Sequence, residues 1–211
     1  MSATLTVEVA AGPLERTHAA VAVVFFFESD RPLRGGAGRA DWRLCGELSR
    51  LILSGKLTGA AGEAVLVPTY GGMAAPLLLG LGLGPRNAFD ADACEALGRE
   101  AAVRVHRLKA RDLALPLPDP HAGDLELRER VEALVTGAIG AVAEVSADLR
   151  LLLVPPPAET GRTQKVVADL AKSQRSTSVA LRLESVPAQG PAAGSPQGAR
   201  GSSPDWPQII K

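Results

Sequence analysis

Aromatic residues make up only 3% of this 211-residue chain, so its core cannot be built around stacked rings. Ala, Leu and Val must supply it instead, and they lift the hydrophobic share to 46%. Charge of one sign is also missing, because 23 Lys and Arg balance 23 Asp and Glu. A duplex-binding protein carries a basic surplus that neutralises phosphates, and a polybasic membrane anchor needs the same. The balance argues against both nucleic acid and a membrane surface as partners. Cysteine is scarce: Cys45 and Cys94 stand far apart with no second pair, which excludes a disulfide framework or a Cys-x-x-Cys site. Reduced, structural thiols in a cytoplasmic protein are expected. The longest apolar run, Ala19 to Phe27, is far shorter than the roughly 20 residues of a membrane span. Met1 to Ala11 carries Glu8 and no basic segment, unlike a secretory leader.

What is present alternates between two periods. Leu5, Val7 and Val9 alternate with polar residues and predict a half-buried strand closed by Gly12-Pro13. Ala19 to Phe27, continuous and apolar, suits a strand covered on both faces. After the Gly35-Gly36-Ala37-Gly38 loop, Leu44, Leu48, Leu51 and Ile52 predict one helix from about Ala40 to Leu53, with Asp41 as its N-cap. Two short strands, Ala64 to Val67 and Pro76 to Leu81, form a hairpin or lie side by side. Helices are expected from near Phe89, from Asp124 to Val145 and from Thr163 to Lys172. Strands are expected at Asp112 to Leu117, Leu149 to Val154 and Ser178 to Glu184. Strands alternating with helices imply an α/β sheet with helices on both faces. From Pro187 to Pro207 the composition turns to Pro, Ala, Gly and Ser, which predicts a disordered tail beyond a domain ending near residue 186.

The stretch Gly38-Arg39-Ala40-Asp41-Trp42-Arg43-Leu44-Cys45-Gly46-Glu47-Leu48-Ser49 resembles the N-terminal domain of the leucyl aminopeptidase family, in particular its small single-domain relatives. The likeness continues through Gly62-Glu63-Ala64-Val65-Leu66-Val67-Pro68 and Leu79-Gly80-Leu81-Gly82, followed by an Ala-rich helix. It extends by element order over roughly residues 1 to 185. The resemblance implies a macro-domain-like fold: three layers, with a mixed central sheet flanked by helices. It does not bring the chemistry. In the family, two metal ions are held by Asp, Glu and Lys of a C-terminal domain around the run Asn-Thr-Asp-Ala-Glu-Gly-Arg, and the sequence contains no such run. The nearest string, Glu159-Thr160-Gly161-Arg162, lacks paired carboxylates. No catalytic residue, metal ligand or cofactor is therefore carried over.

Three local features compete as sites. Gly80-Leu81-Gly82-Leu83-Gly84 follows a strand and precedes a helix, where glycines can let a phosphate approach backbone amides. Pro85 removes a donor, and Asp90 and Asp92 place carboxylates at the helix start, so a structural turn is the preferred reading. Gly35 to Gly38, flanked by Arg31, Arg34 and Arg39, is either an anion site or a solvated loop whose arginines pair with Asp30 and Asp41; the second is preferred. Trp42, with Arg39 and Arg43, marks either a docking surface or, as a lone tryptophan at a helix start more often does, a lid closing over the core. His18, His106 and His121 are too dispersed for a metal site. The basic cluster Arg104, His106, Arg107, Lys109 and Arg111 complements a helix C-terminus. Three functions stay open: a non-catalytic module that binds a protein partner or itself, a binder of nucleotide or ADP-ribose-like ligands in a macro-like cleft, and a metalloaminopeptidase as the family name implies.

Overall fold

Seven strands form one sheet in the order β3-β4-β2-β5-β6-β1-β7 in the computed structural model, which describes residues 3–119, 122–173 and 180–184. The strands are β1 (Thr4–Val9), β2 (Val21–Phe26), β3 (Ala64–Pro68), β4 (Leu77–Gly82), β5 (Asp112–Pro116), β6 (Leu149–Val154) and β7 (Ala180–Glu184). All neighbours run parallel except β3, which turns back on β4 as a hairpin at one edge. The sheet is mixed, as the resemblance implies. Of the expected last strand, Ser178 to Glu184, Ala180–Glu184 is strand, and positions 178–179, like the Pro187 to Pro207 segment, lie outside the described residues.

Period-2 alternation sorts the strand residues into two cores. Val21 and Val23 of β2, with Leu149, Leu151 and Leu153 of β6, join one face. There they meet helices α3 (Ala91–Arg107), α4 (Leu127–Val145) and α5 (Thr160–Ser173). Ala22, Val24 and Phe26 join the other, under helices α1 (Gly35–Arg43) and α2 (Glu47–Leu53). β1 departs from its half-buried reading: it lies inside the sheet between β6 and β7, and Glu8 is buried there. That carboxylate is tolerated because Arg150 of β6 grips it with two nitrogens, one at 2.8 Å, so the charge is paired and hydrogen-bonded.

The expected single helix over Ala40 to Leu53 is two. Cys45 and Gly46 take left-handed backbone angles (φ 54° and 80°), which no continuous helix allows. Gly35 to Gly38, read as a loop, is the first turn of α1. Asp41 therefore sits inside α1 and caps the next helix instead: its carboxylate accepts from the Ser49 amide of α2 at 3.0 Å and from the Ser49 hydroxyl. The other starts fall where capping chemistry puts them. Asp90 accepts from the Ala93 amide at 2.9 Å, and Glu126 with Glu129 forms a capping box before α4. Among the described residues no helix is long and apolar enough to cross a membrane.

Helices α3 and α4 touch backbone to backbone. A Cβ on Gly98 would stand 2.3 Å from the Leu134 carbonyl oxygen, and one on Gly137 2.0 Å from that of Glu95. Only hydrogen fits at either position. Gly137→Val is expected to lower unfolding free energy by about 1–3 kcal/mol or more through overpacking, read from urea denaturation. Gly140→Ala, whose added Cβ would find its nearest neighbour at 3.9 Å, serves as the control and should leave stability unchanged or slightly raised.

Candidate functional site

Two residue pairs, Val21 with Leu113 and Ala22 with Ala114, join β2 to β5, whereas β2 pairs along its whole length with β4. Beyond Ala22 the two strands part. Their connections also leave in opposite directions, β2 towards β4 and β5 towards β6. This is a topological switch point, the place at the carboxyl ends of parallel strands where a crevice opens. A cleft of about 740 Å³ lies there. Its walls are the segment after β1 (Ala11–Leu14), Phe25 of β2 and Phe27 just beyond it, the start of α1, the end of β5 with Leu117–Asp119, and the end of β6 with Pro155–Pro157 and Thr160.

One wall is electropositive. α1 points its amino terminus at the cleft through Gly35, Gly36 and Ala37, with no acid in its first turn and no side chain capping it. Its uncapped amides and dipole favour an anion. Gly36 keeps the approach open, since a Cβ there would have no neighbour nearer than Pro116 Cγ at 4.0 Å. Arg34, Arg39 and Arg86 also line the cleft. Asp30 pairs with Arg86 (2.8 Å) and not with the nearer arginines of the sequence, and the Arg86 guanidinium lies 4.2 Å from the Phe27 ring centre. Arg31 instead donates to the Thr58 and Asp30 carbonyls, and Arg39 reaches Glu15 at 3.6 Å. The opposite wall carries Pro155, Pro156 and Pro157, which have no amide hydrogen to offer.

Beneath the cleft a single arginine ties two walls together. Arg130 of α4 is 1% exposed; it donates to the Pro118 carbonyl at 2.7 Å and to Glu159 Oε1 at 2.9 Å. Pro118 follows β5 and Glu159 ends the 3-10 turn after β6, so the guanidinium spans the gap between adjacent strand ends. Behind it, the buried Cys94 thiol donates to the Arg130 carbonyl. Burial pushes that thiol up to about 12, only partly opposed by the Arg130 charge, so it stays protonated.

The glycines singled out from the sequence sit elsewhere and are not on the cleft wall. Gly82 donates to the Glu63 carbonyl and Gly84 to that of Gly59, while a Cβ on Gly82 would meet the Ala60 oxygen at 2.1 Å and one on Gly80 the Val65 side chain at 2.9 Å. Gly82 and Gly84 hold the 58–63 loop at the end of β4, and Gly80 leaves room for Val65 of β3. Glu63 organises that loop, accepting from the amides of Thr58 (2.7 Å) and Gly59 (2.6 Å). Trp42 does not close over the core: it is 76% exposed on the outer side of α1, with Arg43 stacked 5.6 Å from its ring centre and Arg39 one turn away. Among the described residues no three His, Cys, Asp or Glu side chains are grouped to hold a metal ion, and His121 lies outside them.

The model of the cytosol aminopeptidase family N-terminal domain matches residues 23–143. The chain belongs to this family. No curated protein matches the sequence as a relative. Solved structures agree with the aminopeptidase N-terminal fold. A macrodomain of Oceanobacillus iheyensis superposes with a TM-score of 0.63 at 14% identity, over 82% of this chain and 95% of that one. A Trypanosoma brucei macrodomain in complex with ADP-ribose gives 0.62 at 14%, over 74% of this chain and 66% of that one. Tomato leucine aminopeptidase gives 0.61 at 16%, over 82% of this chain but only 37% of the tomato enzyme. At such identities the likeness is one of fold. The Gly35 to Gly38 stretch, weighed from the sequence as an anion site but set aside for a solvated loop, supplies one wall of this cleft with Arg34 and Arg39.

Arg130→Met should destabilise the domain by about 3 kcal/mol in urea titrations, because a carboxylate loses its buried partner. Adding Glu159→Gln to that variant should recover part of the loss. Burial raises the Glu63 carboxyl, but hydrogen bonds from Gly59, Thr58 and Ala60 outweigh this and hold it below its ordinary 4.5. Its contribution to stability is therefore complete above pH 4.5 and is lost as pH falls through the lower folded value. Glu63→Ala should lose that segment of the acid-stability profile and little near neutrality beyond the loop contacts.

Proposed function

We propose that the protein is a non-catalytic ligand-binding module that takes a small anionic compound with a planar apolar part, of nucleotide or ADP-ribose-like chemistry, into the switch-point cleft. The observation that carries this reading is the open amino terminus of α1, which enters the cleft through Gly35 and Gly36 without a capping side chain or an acid. The anionic group would lie against those amides, within reach of Arg34. The planar part would face Phe25, Leu117 and Val154, which supply the apolar surface expected of a small-molecule pocket. Asp30, held by Arg86 and the Phe27 amide, places a carboxylate on the cleft margin. The proline wall sets a direction: an anion gains amide donors on the α1 side alone, so a ligand with one tightly held phosphate fits better than one needing amides on both sides.

A metalloaminopeptidase reading has no residue set to support it among the described residues, and the tomato enzyme is far longer than the matched region. Protein association is supported by a different surface, taken up below.

Isothermal titration with ADP-ribose, ADP and AMP decides the matter. Saturable binding is expected, with at least about a tenfold loss in Gly36→Leu, whose side chain enters the cleft from a position with room for its Cβ. An unchanged melting temperature in that variant separates a blocked cleft from a damaged fold. No heat at millimolar ligand would retire the proposal.

A further inference from the structure

We infer that the outer side of α1, centred on Trp42, is a docking surface for an extended acidic segment of another protein that carries an aliphatic or aromatic anchor. Trp42 stands 76% exposed as a ridge between two shallow grooves of about 510 and 700 Å³. The first groove is lined by Glu15, Leu33, Arg34, Arg39 and Arg43, and the second by Asp41, Arg43, Cys45 and Gly46. Burying so large a ring is worth more than burying any other side chain, and here that surface is left in water. Tyr70, 91% exposed, stands on the neighbouring turn, whose Gly72 fits against the Arg43 carbonyl and the Leu44 side chain.

Charge chooses the partner. Among the described residues Arg34 and Arg43 form no ion pair, and Arg39 has only a long contact with Glu15. The one acid of α1, Asp41, is buried and already holds Ser49. The exposed side of α1 therefore presents cations alone, on a chain whose formal net charge is zero. Carboxylates on a partner would meet Arg34, Arg39 and Arg43 while its anchor lies beside Trp42, the pairing of central tryptophan and flanking arginine that concentrates binding energy. The Arg43 guanidinium, stacked on the ring, holds the indole upright before any partner arrives. A nucleic acid fits poorly, because three arginines around one tryptophan form a small patch, not a stripe, and Glu15 lines the same groove.

This inference does not depend on the ligand reading: Arg34 and Arg39 also line the cleft, so its test rests on Trp42 and Arg43, which do not. Full-length protein is titrated into a fluorescein-labelled peptide alternating Glu with Leu and Phe, with polarisation as the readout, at low and high salt. Saturable binding that weakens with salt is expected, with at least about a tenfold loss in Trp42→Ala and in Arg43→Glu. Gly36→Leu, which blocks the cleft, should bind the peptide as wild type does. Equal affinity for a peptide with Lys in place of Glu, absence of saturation, or indifference to Trp42→Ala would each overturn the proposal. Two further measurements name its rivals: dimers in sedimentation velocity that Trp42→Ala dissociates would assign the patch to a second copy, and flotation with anionic vesicles lost in Trp42→Ala would assign it to a lipid surface. Either result would also overturn it.

Discussion

The short seam between β2 and β5 governs this architecture. A parallel sheet is held by evenly spaced hydrogen bonds, and here two residue pairs carry the junction between β3-β4-β2 on one side and β5-β6-β1-β7 on the other. The seam is placed at the N-terminal ends of both strands, where the Asp112 carboxylate also accepts from the Ala20 amide at 2.7 Å. Everything beyond it opens. The cleft, the entry of α1 and the separation of the strand-end loops all follow from strands that meet at one end and diverge at the other. Arg130 compensates on the β5-β6 side, where a buried guanidinium replaces the backbone bonds that two loops cannot make with each other.

Layer, strand and helix were legible because they rest on local periodicity. Val21 to Phe26 had to be covered on both faces, and Leu127, Val131, Leu134, Ala138 and Val142 had to face a core; the two clusters bear this out. What escaped were decisions made by distant contacts. The break at Cys45 and Gly46 depends on Asp41 finding Ser49, and Gly35 to Gly38 became helix although glycine is a poor helix former. Sequence adjacency also misled about ion pairs: Asp30 chose Arg86, fifty-six positions away, over Arg31 beside it. The cleft itself was not legible, because its walls come from four strand ends that only the sheet order brings together.

Two glycine-rich stretches show how one composition serves opposite ends. At Gly80 the missing side chain makes room for Val65 of β3, and at Gly82 and Gly84 for residues 59–61 of the neighbouring loop, so their absence is consumed by packing. At Gly36 the space stays empty and faces the cleft. A motif can state that backbone must come close to something; only the fold states whether that something is more protein. The same distinction separates this domain from the longer aminopeptidase it resembles, of which it spans a minor part.

The way α2 is capped has a consequence for the Trp42 surface. A seven-residue helix is too short to persist in water by itself, and its amino end is completed by a carboxylate that belongs to α1. The two helices thus share one cooperative unit, and neither can fray while the other stays intact. Trp42 and Arg43 lie between the accepting Asp41 carboxylate and the helix it completes, so their geometry is inherited from a bond they do not make. The patch should exist whole or vanish whole, with no partly formed version for a partner to sample.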